Sequence, residues 1–331
     1  MNEINLIGGS GFIGSHFCHL LKSKKTKFTI FDKAISQEFP SNHLLGDVRE
    51  IDSLRQHIVE GAPIINLAAE HRDDVRPRSL YYDVNVEGAK NICKVAVEKN
   101  INTIVFTSTV ALYGFAPIGT DESGDIQPFN DYGKSKYQAE LAFKDWQDED
   151  PKKRTLVIIR PTVVFGEKNR GNVYNLFNQI FSKKFMMVGN GENSKSMAYV
   201  ENIASFINFS LDFKPGVHIY NYIDKPDFTM NSLVSRINEA LGRSKEIKLR
   251  LPYLPIYFIA KIIDLVALIT NKQFNISSIR IKKFCQNTVF DSSVSKSGFK
   301  APVSLEKGLE RTIQYEFLED HKDDATYIGE S

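Results

Sequence analysis

The chain has 331 residues, of which 42% are hydrophobic and 25% charged, and its formal net charge is only +2. This composition is typical of a folded globular protein with one large or two medium domains, and it excludes a disordered or fibrous chain. The near-neutral charge gives no field that would attract nucleic acid through its phosphates, so we expect no nucleic-acid partner.

Cysteine usage and the N-terminus indicate a reducing compartment. Cys18, Cys93 and Cys285 are odd in number and far apart, so they form neither a disulfide framework nor a C-x-x-C site. The first residues run directly into an apolar strand, without the cationic start and apolar core of a secretory signal. We therefore expect a cytoplasmic protein. His16 and His19 have no carboxylate or thiol partner in the pattern, so no metal site is predicted.

Strand and helix patterns alternate through the first half of the chain. The predicted strands are residues 4–7, 27–31, 43–46, 63–67, 102–107 and 155–159, and the predicted helices are 12–21, 52–59, 79–99 and 131–146. This alternation predicts an α/β fold with a Rossmann-type, doubly wound parallel sheet. Such a sheet binds ligands beyond the carboxyl ends of its strands. We assign residues 1–165 to this first domain.

A glycine-rich stretch, GGSGFIG at residues 8–14, lies between the first predicted strand and the first predicted helix. Glycines at this point let the backbone approach a pyrophosphate at the helix N-terminus. Asp32, at the end of the second predicted strand, is positioned to accept hydrogen bonds from the adenosine ribose hydroxyls. Together these features predict NAD as cofactor. The alternative is a glycine turn that serves packing alone.

Tyr132 and Lys136 are four residues apart in a predicted helix, so their side chains share one helix face. A nearby ammonium favours the phenolate, which lets a tyrosine act as a base near neutral pH. The strand at 102–107 leads into Thr109, whose hydroxyl then reaches the ligand edge of the sheet. We predict Tyr132, Lys136 and Thr109 as catalytic residues, the alternative for Thr109 being that threonine simply suits strands.

Beyond residue 165 the pattern becomes irregular. It includes a helix at 173–183, a Gly-Asn-Gly turn at 189–191 and an amphipathic helix at 304–317. We expect residues 166–320 to form mainly a smaller α+β substrate-binding cap that can exchange elements with the first domain. Residues 321–331 form a polar tail that we expect to be mobile.

The segment at 251–270 is mostly apolar but contains Lys261 and Asp264. It therefore falls short of the ~20 uninterrupted apolar residues that span a bilayer. Its pattern suits either a buried helix of the cap or a helix that lies in a bilayer interface. From the residues alone, burial is the favoured interpretation, since apolar helices of soluble proteins usually belong to the core.

Taken together, these motifs resemble the extended short-chain dehydrogenase/reductases, a family of NAD-dependent nucleotide-sugar epimerases and dehydratases. The resemblance covers nearly the whole chain and includes Gly46-Asp47-Val48, Leu67-Ala68-Ala69 and Asn85-Val86-x-Gly88. It implies that Asp47 contacts adenine, that Thr109 binds a sugar hydroxyl and that Tyr132 exchanges a proton. The cofactor-binding residues implied by the glycine loop and the resemblance are Gly8, Gly11, Phe12, Ile13, Gly14, Asp32, Asp47, Val48, Leu67, Ala68, Ala69, Asn85, Thr107, Tyr132, Lys136 and Pro161.

Longer strings at 68–75, 79–86, 160–163, 171–176 and 278–285 resemble the bacterial members that act on N-acetylglucosaminyl-diphospho-undecaprenol. This resemblance implies a 4-epimerase that interconverts N-acetylglucosamine and N-acetylgalactosamine on a lipid-linked diphosphate, through a 4-keto intermediate, for O-antigen synthesis. The implied substrate-binding residues are Thr109, Asn172, Lys195 and Arg280.

Two departures from the family pattern bear on the chemistry. Family dehydratases have an Asp-Glu pair directly after the catalytic threonine, whereas Val110 and Ala111 occupy these positions here. The sequence therefore argues against dehydration. The arginine that usually binds the substrate diphosphate is replaced by Lys195, a point charge instead of a bidentate fork.

The implied substrate also predicts a location. An undecaprenyl tail does not leave the bilayer readily, at ~0.8 kcal/mol per methylene, so the enzyme must come to the membrane. We expect a peripheral protein on the inner face of the cell membrane, with Leu254, Ile256, Tyr257 and Phe258 in lipid.

The helices at 79–99 and 137–146 resemble a family dimer interface, which predicts a homodimer, although they could equally cover the sheet. Three alternative functions stay open: a UDP-N-acetylhexosamine 4-epimerase, a 4-keto-sugar reductase that exchanges free cofactor, and a non-catalytic dinucleotide-binding sensor.

Overall fold

The computed structural model describes residues 3–72, 75–247, 249–270 and 277–327. The strands are β1 (Ile4–Ile7), β2 (Phe28–Asp32), β3 (His43–Leu45), β4 (Ile64–Asn66), β5 (Thr103–Thr107), β6 (Thr155–Pro161), β7 (Val163–Phe165), β8 (Met187–Val188), β9 (Ser194–Tyr199), β10 (Gly216–Tyr222), β11 (Asp224–Thr229) and β12 (Arg250–Leu251).

The α-helices are α1 (Phe12–Ser23), α2 (Ile51–His57), α3 (Ser79–Tyr82), α4 (Gly88–Glu98), α5 (Asp131–Asp148), α6 (Asn172–Phe181), α7 (Val200–Ser210), α8 (Met230–Ala240), α9 (Tyr253–Thr270), α10 (Ser278–Cys285) and α11 (Leu305–Ile313). A π-helical turn at Asp83–Glu87 joins α3 to α4, so the predicted helix at 79–99 is continuous. The predicted elements of the first domain are all present, with ends within two residues of those expected.

Seven parallel strands form the main sheet, in the order β10-β6-β5-β4-β1-β2-β3. The strand β1 lies between β2 and β4, so the winding of the chain reverses direction at β1. The loops that follow β1 and β4 therefore leave the sheet toward opposite faces and open a crevice between them. This sheet confirms the predicted fold class.

Helices cover both faces of the sheet because successive strand side chains point to opposite sides. On one side, Leu6 and Val105 belong to a core with α1, α7 and α11. On the other, Ile7 and Ile104 pack with α2, α4 and α5. The inner faces of α4 and α5 thus cover the sheet, which was one of the two interpretations of these helices.

The second half of the chain forms the smaller part of the protein and also contributes elements to the part that contains the main sheet. A three-stranded sheet has the order β11-β9-β7, and β8 pairs with β12. However, β10 pairs with β6 at the edge of the main sheet, and α7 packs against α1. The two parts therefore share elements across residue 165.

The described part of the C-terminal tail, residues 321–327, is attached to the body of the protein, whereas we expected mobility. The Tyr327 backbone N–H donates to the Lys168 carbonyl, and the Tyr327 carbonyl accepts from the Arg170 N–H. The Tyr327 hydroxyl donates to the Glu38 carboxylate. Tyr327, whose ring is buried, thus anchors this stretch to the protein. The polar composition of the stretch did not indicate such an attachment.

The apolar helix α9 is exposed along nearly its whole length, and Ala260 is its one buried residue among those described. Burial in the cap, the interpretation favoured by composition alone, is therefore wrong. The helix is also long and apolar enough to cross a membrane by length and composition, with a mean hydropathy of 1.8.

Candidate active site

The glycine loop between β1 and α1 packs too closely for side chains. Gly8 has a φ of +77°, and a Cβ there would lie 2.4 Å from the Ala68 backbone nitrogen. A Cβ on Gly14 would lie 2.5 Å from the Gly9 carbonyl oxygen. The loop backbone therefore faces the crevice beside β4, as a dinucleotide-binding turn requires.

Most of the predicted cofactor residues meet in one cleft at this crevice. Twelve of the sixteen line it, namely Gly8, Gly11, Phe12, Ile13, Gly14, Asp32, Asp47, Val48, Leu67, Ala68, Ala69 and Thr107. Sequence reasoning missed others that line it, including Ser10, Lys33, Ala34, His71 and Val164. Most of these residues lie within two positions of a predicted cofactor residue in the sequence. Their closeness to predicted residues could have identified them.

Two buried hydroxyls at this cleft lack partners within the described chain. They are Ser10 Oγ and Thr107 Oγ1, one from the glycine loop and one from the end of β5. Buried polar groups in folded proteins are almost always hydrogen-bonded, so such hydroxyls fit a polar ligand in the cleft. Together with the side-chain-free loop, they make the cleft suitable for a dinucleotide.

Two carboxylates stand at the adenosine end predicted for the cleft. Asp32 Oδ2 accepts from the Ser10 backbone N–H at 2.9 Å, and Oδ1 accepts from the Ala34 N–H at 3.0 Å. Each oxygen retains a further lone pair for a ligand hydroxyl. Asp47 pairs with the Arg49 guanidinium at 2.6 Å, and these hydrogen bonds lower the pKa of the Asp47 carboxyl.

Tyr132 and Lys136 are both buried in the first turns of α5. Asn130 caps this helix, because its Oδ1 accepts from the Gly133 N–H at 2.9 Å. The Tyr132 ring belongs to a small apolar cluster with Val75 and Tyr81. The Lys136 ammonium lies 4.2 Å from the centre of the Phe106 ring on β5, so it points toward the sheet. This placement is compatible with the prediction that Tyr132 and Lys136, four residues apart, share one face of the helix.

Thr109 lies close to the start of α5. Its Oγ1 accepts from the Ala111 N–H at 3.1 Å and begins a 3-10 turn at Val110–Tyr113. A Cβ on Gly133 would approach the Ala111 carbonyl oxygen to 2.8 Å, so this turn packs directly on α5. The structure thus brings the Thr109 segment and the Tyr132 turn together.

Asn85 lies beside α5 rather than on the cofactor cleft. Its Oδ1 accepts from the Glu70 N–H at 2.8 Å, and its Nδ2 donates to the Glu70 carbonyl and to Ser135 Oγ. The amide is therefore engaged by the loop after β4 and by the helix that carries Tyr132. Pro161 lies at the end of β6, outside the lining of the cleft.

The predicted substrate residues Asn172, Lys195 and Arg280 also lie away from the cofactor cleft. Asn172 begins α6, and Arg280 lies in the first turn of α10. Lys195 Nζ donates to the carbonyls of Lys283 and Gln286, at 2.8 and 2.6 Å. Burial lowers the pKa of Lys195 to about 8. In this structure Lys195 thus holds the end of α10 against β9.

A buried ion pair that the sequence did not reveal fixes α5 to the sheet. Arg160 on β6 donates from Nε and Nη2 to the two Glu140 carboxylate oxygens, at 2.9 and 2.6 Å. Its Nη1 donates to the Tyr113 hydroxyl, which in turn donates to Asn221 Oδ1. Glu140 follows Lys136 by one helical turn, so the ion pair fixes the helix face on which Lys136 lies.

Comparison with known proteins gives consistent matches. The model of the NAD dependent epimerase/dehydratase family matches residues 4–222. The N-acetyl-alpha-D-glucosaminyl-diphospho-ditrans,octacis-undecaprenol 4-epimerase of Escherichia coli O157:H7 is 48% identical, with complete coverage of both chains.

Solved structures of low sequence identity share the fold. The UDP-glucose 4-epimerase of Thermotoga maritima, solved with UDP-glucose, has a TM-score of 0.74 at 20% identity, covering 96% of this chain and all of that one. The Thermus thermophilus UDP-glucose 4-epimerase, solved with NAD, has a TM-score of 0.70 at 18% identity, covering 95% and 98%.

Proposed function

We propose, from the premise that this chain belongs to the NAD-dependent epimerase/dehydratase family, that it interconverts N-acetylglucosamine and N-acetylgalactosamine on a diphospho-undecaprenol carrier. The product would serve surface polysaccharide synthesis. One observation carries the proposal: a relative named for the lipid-linked 4-epimerase matches this chain over its whole length. The exposed apolar helix α9 supports the same carrier, because a lipid-linked substrate requires an enzyme at the membrane surface.

The chemistry follows from residues of this chain around C4 of the sugar. The glycine loop and Asp32 would hold NAD in the cleft, and the bound cofactor would supply reversible hydride transfer at C4, with a 4-keto sugar as the intermediate. Tyr132 removes the proton of the 4-hydroxyl and gives it back after the keto sugar has turned over. Lys136 holds the cofactor ribose and stabilises the Tyr132 phenolate, and Thr109 binds the oxygen as charge develops. The reaction has no net redox change.

Sequence features weigh against two alternative functions. Val110 and Ala111 carry no acid or base, and the Ala111 N–H is bonded to Thr109, so the elimination of water has no acid–base pair at these positions. A non-catalytic sensor would not need the pair Tyr132 and Lys136, which are both buried in the first turns of α5. A 4-keto-sugar reductase would use the same residues and differs only in cofactor exchange.

The choice of carrier is tested by activity on two substrates. Purified protein is given N-acetylglucosaminyl-diphospho-undecaprenol in detergent or UDP-N-acetylglucosamine in buffer, and the epimeric products are separated after acid release. We expect kcat/KM to be at least tenfold higher for the lipid-linked substrate. Turnover of the UDP-sugar alone would contradict the proposal and would favour a nucleotide-sugar 4-epimerase.

Asp32→Ala is expected to weaken NAD binding by about tenfold or more and to reduce its advantage over NADP, since the ribose hydroxyls lose a charged acceptor. The measurement is calorimetric titration with each cofactor. Asp32→Asn is the matched control, because an amide oxygen can still accept from the Ser10 N–H. An unchanged preference between the cofactors would show that Asp32 has been assigned wrongly.

Helix α9 carries a continuous apolar stripe at helical spacing. Its members are Leu254, Phe258, Ile262, Leu265 and Ile269, each more than half exposed. Of the residues first expected in lipid, Leu254 and Phe258 are on this stripe, whereas Ile256 and Tyr257 are half-buried. We propose that the stripe enters the inner leaflet of the cell membrane while the catalytic part stays in the cytoplasm.

The attachment of α9 to the cap at its start and at Asp264 supports an interfacial helix rather than a spanning one. Before α9, Leu251 pairs with Val188 in the cap. Beyond it, the Ser278 N–H donates to the Asp264 carboxylate, and α10 packs back against α9. A spanning helix would carry its end ~27 Å away from the domain, at 1.5 Å per residue. The start of α9 and its turn at Asp264 are instead attached to the cap.

Phe258→Ser combined with Ile262→Ser is expected to lower binding to phosphatidylethanolamine–phosphatidylglycerol vesicles by at least about tenfold, because both side chains leave lipid. The measurement is vesicle co-sedimentation, with the melting temperature followed in parallel. Both residues are about 64% and 63% exposed, so melting should not change. The control is Leu45→Ser, which removes an exposed side chain at the edge of the main sheet. Absence of wild-type lipid binding would contradict the interfacial role.

We also propose a homodimer through the outer faces of α4 and α5, from the family resemblance of these helices. Val97 and Leu141 are exposed there, while the inner faces of both helices pack on the sheet. Sedimentation velocity tests this proposal, and a monomer at micromolar concentration would contradict it.

A further inference from the structure

An exposed aromatic pair lies at the edge of the catalytic region. The rings of Phe115 and Phe129 stack with centroids 4.9 Å apart and an interplanar angle of 13°. Their exposed fractions are 44% and 43%, which is high for two stacked phenylalanines. They stand at the two ends of a loop, residues 114–130, that connects the Thr109 turn to α5. Neither ring belongs to the buried core.

The base of this loop is closed, which holds the pair next to the catalytic residues. The Gln127 N–H donates to the Leu112 carbonyl at 3.0 Å. Gly114 has a φ of +67°, and a Cβ there would meet the Gln127 carbonyl oxygen at 2.1 Å. Phe129 precedes Tyr132 by three residues, so their Cα atoms are at most ~11 Å apart.

Two lysines of α10 lie over the aromatic pair. Lys282 Nζ is 4.7 Å from the centre of the Phe115 ring, and Lys283 Nζ is 5.1 Å from that of Phe129. Within the described part of the chain, neither ammonium pairs with a carboxylate. The described residues therefore supply no carboxylate that neutralises this positive charge, and the two ammonium groups adjoin an exposed apolar surface.

The helix α10, which carries these lysines, is held at its two ends by α9 and by β9. Its N-terminus is bonded to Asp264 of α9 through the Ser278 N–H. Its C-terminal end is held by Lys195, which donates to the Lys283 carbonyl. A continuous route thus leads from the Tyr132 turn, past the aromatic pair and the two lysines, to the exposed stripe of α9.

We infer that Phe115, Phe129, Lys282 and Lys283 form the subsite for the carrier of the substrate, with the ammonium groups on the diphosphate and the phenyl rings on the first isoprene units. This inference rests on the proposed lipid-linked function. C1 and C4 lie at opposite ends of a hexose ring, so a sugar with C4 at Tyr132 directs its diphosphate away from the catalytic residues. Two ammonium groups without a carboxylate partner among the described residues complement a diphosphate, and the adjoining apolar rings complement a hydrocarbon chain.

The subsite is tested by varying the length of the carrier in detergent, where recruitment to a bilayer is not required. The substrates are N-acetylglucosamine diphosphates esterified to undecaprenol, to farnesol or to methanol. For the Phe115→Ala/Phe129→Ala variant, we expect KM to rise about tenfold for the two prenyl substrates and to stay unchanged for the methyl ester. For Lys282→Gln/Lys283→Gln, KM should rise about tenfold for all three. In both variants kcat stays near that of the wild type.

Matched controls separate this subsite from folding and from membrane binding. Lys24→Gln/Lys25→Gln removes two exposed, adjacent lysines that follow α1 and should leave every KM unchanged. Phe258→Ser/Ile262→Ser should likewise leave the detergent KM values unchanged. NAD retention and melting temperature check that each variant is folded.

Three outcomes would overturn the inference. They are an unchanged KM for the prenyl substrates in the phenylalanine variant, an equal rise in KM for the methyl ester, and a change of oligomeric state, which would make the surface a subunit contact. Wild-type protein that acts on UDP-N-acetylglucosamine but on none of the three diphosphates would instead refute the proposed function. The two failures are thus distinguishable.

Discussion

Tyr132→Phe is expected to lower kcat by about 10²- to 10⁴-fold, the usual contribution of a positioned acid–base group. Phenylalanine keeps the ring that packs with Val75 and Tyr81, so the fold and the cofactor cleft should persist. The variant lacks only the hydroxyl that exchanges its proton with the 4-hydroxyl of the sugar. Initial rates of epimerisation and the NAD content of the purified variant are the measurements.

Tyr137→Phe is the matched control, because Tyr137 is a half-buried tyrosine on the same helix and packs against a different cluster. It should retain near wild-type turnover. If the Tyr132 variant turned over normally with NAD bound, Tyr132 would not be the proton-transfer residue.

Glu140→Ala is expected to lower the free energy of unfolding by about 3–5 kcal/mol, since it leaves the Arg160 guanidinium buried without its charge partner. Both side chains of the pair are almost completely inaccessible to solvent. Urea unfolding followed by circular dichroism measures the loss. Glu140→Leu combined with Arg160→Met should recover most of it, because a buried pair replaced by apolar side chains of similar size often costs little.

Glu98→Ala provides the contrast at the surface. Glu98 pairs with Arg55 at 2.8 Å, but both side chains are exposed to water, and such pairs contribute little. Its unfolding midpoint should stay close to that of the wild type. Equal losses for Glu98→Ala and Glu140→Ala would contradict the assignment of Glu140 and Arg160 as the anchor of α5.

Most of the residues predicted to bind the cofactor line one cleft, because the signals that identified them are local. Gly8, Gly14 and Asp32 lie in one β-α-β unit, in which spacing along the chain determines spacing in the structure. Tyr132 and Lys136 are also close in sequence, and their four-residue spacing in α5 predicts that they share one helix face. Periodicity likewise predicts the strands and helices of the first domain.

Features that depend on long-range contacts could not be predicted in this way. Arg160 and Glu140 lie in segments of different periodicity, and no local pattern indicates that a strand arginine meets a helix glutamate. Lys195 bonds to carbonyls about ninety residues further along the chain. The return of β10 to the main sheet and the docking of Tyr327 are also decided by tertiary packing.

The exposure of α9 shows a second limit of prediction from the sequence. Composition describes how apolar a helix is but not whether protein covers it, so the residues alone favoured burial for a helix that the structure exposes. The arrangement of the cap, in which α10 packs against α9 and leaves most of its side chains exposed, rules out burial.

The central claim is that the C4 hydride leaves and returns within one active site, and a crossover experiment tests it most directly. Substrate deuterated at C4 is mixed with substrate that carries ¹³C in its N-acetyl group, and the N-acetylgalactosamine products are analysed by mass spectrometry. We predict that deuterium stays on the molecules without ¹³C, that no NADH accumulates, and that added NADH labelled with deuterium contributes none to the product. Transfer of deuterium to the ¹³C-labelled product, or its appearance from added NADH, would contradict the claim and would indicate a reductase that exchanges its cofactor.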